Sequence, residues 1–136
     1  RRLYFDLFYP FVTEKEVRRA VVLMGPRRVG KTVLLFHCIQ QLIEEKVNPQ
    51  QIFFVGIDNP IYVHLSLEDI LSLCKKSQNL SHLNGCFVFF DEIQYLDDPA
   101  SFLKYLYDEH RENIKLIVSG SSSFYIDKKF KDSLSG

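Results

Sequence analysis

The sequence predicts an α/β fold in which helices cover both faces of a mainly parallel β-sheet. Two observations lead to this prediction. Four short apolar segments typical of strands alternate with three segments in which apolar residues have helical spacing. The strand segments are apolar throughout, as expected for strands buried on both faces of a sheet. The expected architecture is therefore a three-layer αβα sandwich.

Each predicted element carries local signals. The predicted strands cover residues 20–24, 51–58, 86–90 and 114–123, and the predicted helices cover residues 31–47, 66–83 and 99–113. The second helix begins at Ser66, a residue suited to an N-cap, and has Asp69 in its first turn. The third begins at Pro99, which a first helical turn tolerates. The first helix carries its apolar residues three and four apart, at Val33, Leu34, Phe36, Ile39, Leu42 and Ile43.

The composition is that of one globular domain. The chain has 136 residues, 46% of them apolar, and no linker or repeat marks an internal boundary. Basic and acidic residues number 17 each, so the neutral chain gives no support to a broad nucleic-acid or membrane-surface footprint. No apolar stretch approaches the roughly 18 residues of a membrane helix. Residues 1–12 begin like a signal peptide, but Asp6 interrupts them, and they are interpreted as a buried amphipathic segment.

The three cysteines are Cys38, Cys74 and Cys86. Their odd number and the absence of a CxxC motif argue against a disulfide framework and favour a reducing, cytoplasmic setting. A metal site at Cys74, His82 and Cys86 is an alternative, but the spacing matches no usual zinc pattern. Core thiols beside a surface histidine are the favoured interpretation.

The turn between the first strand and the first helix matches a phosphate-binding motif. Its residues fit G-x-x-x-x-G-K-[ST] at every fixed position: Gly25, Pro26, Arg27, Arg28, Val29, Gly30, Lys31 and Thr32. Glycines let successive backbone N–H groups curl around an anion, and the helix N-terminus adds partial positive charge. Lys31 is long enough to reach the β- and γ-phosphates, and the Thr32 hydroxyl is a hard oxygen ligand for Mg²⁺. The segment, extended by Val33, is predicted to bind a nucleotide.

Two further features of this turn stay open. Arg27 and Arg28 lie outside the fixed positions and are candidates for phosphate or ribose contacts or for a subunit boundary, with solvated loop charges as an equal alternative. The chain contains no N/T-K-x-D guanine motif, which favours ATP over GTP.

Two acids, Asp91 and Glu92, follow the third strand. In a parallel sheet Asp91 lies at the same edge as the phosphate-binding turn, and it is assigned to Mg²⁺ through a coordinated water. Glu92 is expected to point the other way, as successive strand residues do, and to polarise a water in line with the γ-phosphate. A pair of turn-capping acids is the structural alternative. A small-molecule kinase needs no activated water, so the pair favours hydrolysis.

The fourth strand ends in small polar residues. Of these, Ser121 is the preferred candidate to orient the attacking water or to sense the γ-phosphate, and Ser119 is the second. A serine-rich turn without a functional role is the alternative.

The segments "GPRRVGKT", "FVFFDEIQYL" and "LIVSGSSS" together resemble the prokaryotic AAA-type ATPases in which an ATPase domain precedes a C-terminal domain of unknown function. The resemblance covers nearly the whole chain. It implies a P-loop (Walker A) at residues 25–32, a metal-side Walker B acid at Asp91, a catalytic glutamate at Glu92 and a polar sensor near Ser121. It also includes Gln94 in a "DEIQ" signature without defining the role of this residue.

The resemblance further implies a sheet of five parallel strands in the order 5-1-4-3-2, of which the sequence supplies four. The family continues past the Leu-x-Gly matched by residues 134–136 with an arginine, a further strand and a second domain. The chain is therefore expected to be a truncated P-loop ATPase domain over residues 1–136. Its first strand would be an apolar edge that self-associates or is covered by residues 3–11.

The function expected from these features is Mg-ATP binding and, in the full-length protein, hydrolysis that drives a conformational change in an attached domain or partner. Residues 1–136 alone are expected to bind nucleotide better than they hydrolyse it. The alternative is a nucleotide-dependent switch that binds a protein or DNA partner with little turnover.

Expected partners are the nucleotide, the C-terminal domain and further copies in a homo-oligomer, but not a membrane. Candidate DNA contacts, for which solvated lysines are the favoured alternative, are Lys75, Lys76, Lys128, Lys129 and Lys131.

Overall fold

The computed structural model describes residues 2–14, 20–25, 30–107 and 113–121. The helices in this part are α1 (Arg2–Thr13), α2 (Lys31–Glu44), α3 (Leu67–Ser77) and α4 (Pro99–Lys104). The strands are β1 (Val21–Gly25), β2 (Ile52–Gly56), β3 (Phe87–Asp91) and β4 (Lys115–Ser121). Short 3-10 turns cover Pro49–Gln51, Pro60–Tyr62, Ile93–Tyr95 and Tyr105–Tyr107.

The four strands lie parallel in one sheet in the order β1-β4-β3-β2. This arrangement confirms the predicted α/β class, and it matches the 1-4-3-2 portion of the strand order that the resemblance implies. Each strand begins one residue later than predicted. The last strand of the described residues, β4, therefore lies between β1 and β3.

Two separate apolar cores form the sandwich, one on each face of the sheet. In β3, Phe87 and Phe89 pack into the core under α1 and α2, whereas Val88 and Phe90 pack into the core under α3 and α4. This alternation follows from the strand period of two, and large apolar residues on both sides explain why the strand sequence is apolar throughout. All residues of β3 are buried, as are those of β4 after Lys115.

The N-terminal helix α1 buries only one of its sides. α1 packs against α2, with Val12 fully buried and Phe5 and Phe8 against the same core. The predicted buried amphipathic segment is therefore buried along one side only, and its other side carries exposed apolar residues: Tyr4, Leu7 and Phe11 are 70%, 61% and 62% exposed. None of the helices in the described ranges is long and apolar enough to cross a membrane.

The side of α2 that faces the core contains only some of the apolar residues of this helix. The buried residues of this helix lie along one side, at Lys31, Leu35, Cys38 and Leu42. Three of the apolar residues whose spacing predicted the helix are exposed, namely Val33, Phe36 and Ile43. The spacing of 31, 35, 38 and 42 is that of one helical face, so the rotation that buries Lys31 also selects the core positions.

The second predicted helix begins as expected and ends early. Ser66 and Asp69 form a capping box, in which each side chain accepts from the backbone N–H of the other residue at 3.1 Å. α3 then ends at Ser77 rather than at residue 83, because Asn79 adopts a positive φ of 54° and turns the chain. Leu80 still packs against the core from beyond the turn.

The three cysteines form no disulfide and are buried, which confirms the interpretation as core thiols. Burial raises the pKa of the Cys38 thiol to about 12. Burial, reinforced by the nearby Cys86, raises that of Cys74 to about 11. Both thiols are therefore protonated and unreactive at neutral pH in the folded chain.

Candidate functional site

Three strand ends and one helix start meet at a single edge of the sheet. Because all strands are parallel, β1 ends at Gly25, β3 at Asp91 and β4 at Ser121 on the same side, and the register places Gly25 opposite Ser121. α2 begins at Lys31 after the glycine-rich turn. In open α/β sheets, ligands bind outside the carboxyl ends of the strands, so this edge is the candidate site.

The glycine-rich turn is described at its two ends. Gly30 has a φ of 85° and directly precedes α2, and its carbonyl oxygen accepts the hydrogen bond of 2.9 Å from the N–H of Leu34. A side chain at this position would meet no atom within 4 Å, so the positive φ, rather than lack of space, explains the glycine. Four predicted residues lie outside the described residues: Pro26, Arg27, Arg28 and Val29.

Lys31 spans the two ends of the turn. Its ammonium Nζ donates to the carbonyl oxygen of Gly25 at 2.9 Å, and the residue is only 7% exposed. A buried cation held over the start of the turn attracts anions to this edge. Val33, the last residue of the predicted binding segment, lies further along α2 with 43% of its surface exposed.

The hydroxyl of Thr32 contacts the acid at the end of β3. Thr32 Oγ1 donates to Asp91 Oδ2 at 2.7 Å, and the hydroxyl of Ser119 donates to the other carboxylate oxygen, Oδ1. Asp91 is 5% exposed and Ser119 is fully buried. The carboxylate is therefore held between α2 and β4, with both its oxygens directed at hydroxyl groups.

Glu92 leaves the sheet in a way that strand alternation does not describe. β3 ends at Asp91, and Glu92 has a left-handed backbone with φ 66° and ψ 50°. The prediction that Glu92 points away by strand pleating is wrong in its reason, because this residue already belongs to a turn. Its backbone N–H donates to Ser119 Oγ at 3.1 Å, which ties the turn to β4.

Gln94, for which the sequence defines no role, makes two hydrogen bonds at this site. Its Nε2 donates to Glu92 Oε2 at 2.8 Å, and its Oε1 accepts from the backbone N–H of Ser121 at 3.0 Å. Ser121, the preferred sensor candidate, is 2% exposed. One sequence signal could have singled out Gln94: it lies two residues after the candidate base Glu92, in an otherwise apolar turn.

Gly120 lies where the strand ends converge. A Cβ atom at this position would be 3.0 Å from Ile93 Cγ1 and 3.2 Å from Met24 Sδ. The side chain before the glycine-rich turn and the side chain after Glu92 therefore both pack onto this glycine. The sequence alone indicates no role for Gly120, since only the close approach of Ile93 and Met24 in the folded chain shows why a glycine is needed.

The chemistry of the edge is that of an oxyanion and hard-cation site. It combines the buried ammonium group of Lys31 and the N-terminus of α2 with the Asp91 carboxylate, to which the hydroxyl groups of Thr32 and Ser119 donate. Within the described ranges, no three histidine, cysteine, aspartate or glutamate side chains cluster as they would around a metal held by protein alone. The arrangement suits a cation shared with a phosphate ligand, which typically uses one or two protein groups.

A parallel sheet in this strand order, with a glycine-rich turn leading into a helix at its carboxyl edge, is a fold of the P-loop NTPase type. A family model described as an AAA domain matches residues 17–136, and the chain belongs to this family. AAA domains bind nucleotides and are generally ATPases, so membership supports nucleotide binding here. No curated protein matches the sequence.

Proposed function

We propose that the chain binds Mg-ATP at the carboxyl edge of its sheet. In the full-length protein, hydrolysis of the ATP drives a conformational change in an attached domain or partner. The observation that carries the proposal is the hydrogen bond of 2.7 Å from Thr32 Oγ1 to Asp91 Oδ2. This hydrogen bond joins Thr32, at the start of the helix after the glycine-rich turn, to Asp91, at the end of β3. A hydroxyl and an acid in these two places hold the metal ion in phosphoryl-transfer sites of the P-loop type.

The residues at this edge fit a magnesium ion. Thr32 offers a hydroxyl oxygen and Asp91 a carboxylate oxygen, and Mg²⁺ prefers hard oxygen ligands of these kinds. We assign Thr32 as a direct ligand and Asp91 as a ligand through a coordinated water. When bound, the ion supplies positive charge to the phosphate oxygens.

Lys31 is assigned to the β- and γ-phosphates. Its ammonium group is held by the carbonyl oxygen of Gly25, at the mouth of the turn. Phosphate oxygens are stronger partners for an ammonium group than a neutral carbonyl oxygen, because the attraction between opposite charges adds to the hydrogen bond. Gly25 and Gly30 would shape the turn so that its N–H groups complete the cradle.

Glu92 is assigned as the general base that polarises the attacking water. Its backbone and its carboxylate are each held by a hydrogen bond, to Ser119 and Gln94 respectively. A positioned base is typically worth about 10²- to 10⁴-fold in rate. Ser121 is assigned as the residue that senses the γ-phosphate, from its place at the end of the neighbouring strand β4.

The binding proposal is tested by calorimetric titration of Mg-ATP and Mg-GTP into the wild-type chain, Lys31→Ala and Lys76→Ala. Lys76 lies exposed on α3 and serves as the matched control. Lys31→Ala is expected to weaken Mg-ATP binding by about 10- to 100-fold, the equivalent of one charge-assisted hydrogen bond, and Lys76→Ala to leave it unchanged. A wild-type chain that ignores every nucleoside triphosphate would refute the proposal.

The hydrolysis proposal is tested in the full-length protein with Glu92→Gln. This variant is expected to bind Mg-ATP as the wild type does and to lose about 10²-fold or more in turnover, because an amide cannot accept a proton from water. The measurement is phosphate release under saturating Mg-ATP. Turnover equal to the wild type would show that Glu92 is not the base.

The cellular setting remains a prediction. Three buried thiols that form no disulfide are the observation that supports a reducing compartment such as the cytoplasm.

A further inference from the structure

The side chain of Gln94 links the turn after β3 to the end of β4. Its amide group donates to the Glu92 carboxylate at 2.8 Å and accepts from the backbone N–H of Ser121 at 3.0 Å. Gln94 lies in the 3-10 turn Ile93–Tyr95, so a single short turn carries both Glu92 and the group that holds its side chain. The two ends of the candidate site are therefore joined by one planar amide.

The orientation of this amide is fixed by its partners. A backbone N–H group only donates and an ionised carboxylate only accepts, so Oε1 must face Ser121 and Nε2 must face Glu92. Glutamate at position 94 could serve Ser121 but would have no proton for Glu92. Asparagine is one methylene shorter. Glutamine is thus the residue that can make both hydrogen bonds from this position.

We propose that Gln94 is a positioning residue that holds the carboxylate of Glu92 for catalysis and couples it to the end of β4 through the backbone of Ser121. This inference rests on the proposed function, in which Glu92 is the base. Ser119 fixes the backbone of Glu92, but the flexible side chain beyond it needs a second restraint, which Gln94 supplies. Because the amide is rigid, movement of the Ser121 backbone on contact with a phosphate is transmitted to the Glu92 carboxylate.

The test compares Gln94→Ala with Gln94→Glu in the full-length protein. Gln94→Ala removes both hydrogen bonds, whereas Gln94→Glu keeps an acceptor for Ser121 and sets one carboxylate against another. We expect kcat to fall by about 10- to 100-fold in both variants, because small misplacements of a reacting group have effects of this size. The KM for ATP is expected to change little, since the phosphate cradle is intact. Gln50→Glu, at an exposed position before β2, is the matched control.

Two readouts do not depend on turnover. The amide proton of Ser121, followed by NMR and hydrogen exchange, is expected to stay protected in Gln94→Glu and to lose protection in Gln94→Ala. In the double variant Glu92→Gln with Gln94→Glu, the amide and the carboxylate exchange places and the bridge can form again. A double-mutant cycle of denaturation midpoints is therefore expected to show favourable coupling between the two positions, without recovery of activity.

The outcomes separate this inference from the function beneath it. If Glu92→Gln abolishes turnover while Gln94→Glu matches the wild type, only the inference about Gln94 fails. Faster turnover in Gln94→Glu would also overturn it, because Gln94 would then restrain the base rather than position it. If the wild type hydrolyses no nucleotide, or Glu92→Gln retains full turnover, the base assignment fails and the inference falls with it.

Discussion

Gly120 is the point at which three segments of the site touch. Ile93, from the turn that carries Glu92, and Met24, from the end of β1, both approach the position that a Cβ atom would occupy. Ile93 is 1% exposed and belongs to the core under α3 and α4. The glycine therefore sets how closely β4 can approach the acidic turn, and through it the hydrogen bonds of Ser119 and Ser121.

Gly120→Ala is expected to destabilise the chain by about 1–3 kcal/mol, the usual cost of an extra methyl group in a packed core. Gly56→Ala is the control, because the only atom closer than 3.4 Å to its Cβ would be Asp58 Oδ1, at 3.1 Å, and that exposed side chain can rotate away; Phe54 Cε1, at 3.8 Å, is an ordinary van der Waals contact. Its stability is expected to change by less than about 1 kcal/mol. Urea denaturation measures both, and equal losses in the two variants would contradict the argument.

The identity of the site residues could be predicted where chemistry demands a particular residue type. Gly30, Lys31 and Thr32 follow from the needs of a phosphate-binding turn, and Asp91 follows from its place at the end of an apolar strand. The contacts of Ser119 and Gln94 could not be predicted in this way, because they depend on how β4 is aligned with β3. The spacing of residues within one segment does not tell how that segment is aligned with its neighbour in the sheet.

The start of α3 depends on a pair of reciprocal hydrogen bonds. Ser66 Oγ accepts from the N–H of Asp69, and Asp69 Oδ2 accepts from the N–H of Ser66, so two backbone donors at the helix start are satisfied. Leu67 and Ile70, in the first turn that follows, are buried in the core under α3 and α4. The cap therefore supports the packing of this layer against the sheet.

Ser66→Ala is expected to lower the free energy of unfolding by about 1 kcal/mol, since alanine cannot accept the hydrogen bond from Asp69. Ser72→Ala, within the same helix, is the control and is expected to be neutral or stabilising by about 0.5 kcal/mol because alanine has the higher helix propensity. Chemical denaturation monitored by circular dichroism measures the two variants. A loss in Ser72→Ala as large as that in Ser66→Ala would contradict the role of the cap.

Strands were predicted more accurately than the faces of the helices. An apolar segment bounded by turn residues is a strong local signal, and all four strands lie within a residue or two of their predicted ends where both ends are described. The rotation of α2 depends instead on which way Lys31 and Thr32 must point. The early end of α3 depends on Asn79, a residue that tolerates the left-handed conformation but does not demand it.

The edge of the sheet at β1 bears on the association of whole molecules. Among the described residues, β1 pairs with β4 on one side and with no strand on the other, and Val22 is 36% exposed. The alternative expectation is that residues 3–11 cover this edge, but α1, which contains them, packs against α2 on the face of the sheet. Self-association through the edge stays a prediction. Exposed apolar edges of this kind favour pairing with a second chain.

Val22→Lys is expected to raise the proportion of monomer, because a charged side chain on an edge strand opposes pairing. Ile61→Lys places the same charge at an exposed apolar position, 66% exposed in the turn Pro60–Tyr62, and is expected to leave association unchanged. Sedimentation equilibrium over a range of concentrations measures both. A wild-type chain that is monomeric throughout the range would contradict this prediction.

The position of β4 in the sheet determines when the candidate site can assemble during synthesis. β1 and β3 carry the glycine-rich turn and the acids, but they do not pair with each other, because β4 lies between them. The ribosome releases β4 after both, so a nascent chain that ends before residue 115 has every fixed residue of the phosphate motif and no strand to bring that motif to the acids. Insertion of this strand closes the longest loop in the sheet, which is a slow step for folding. The centre of the sheet and the edge that carries the candidate site are therefore both completed by the same strand.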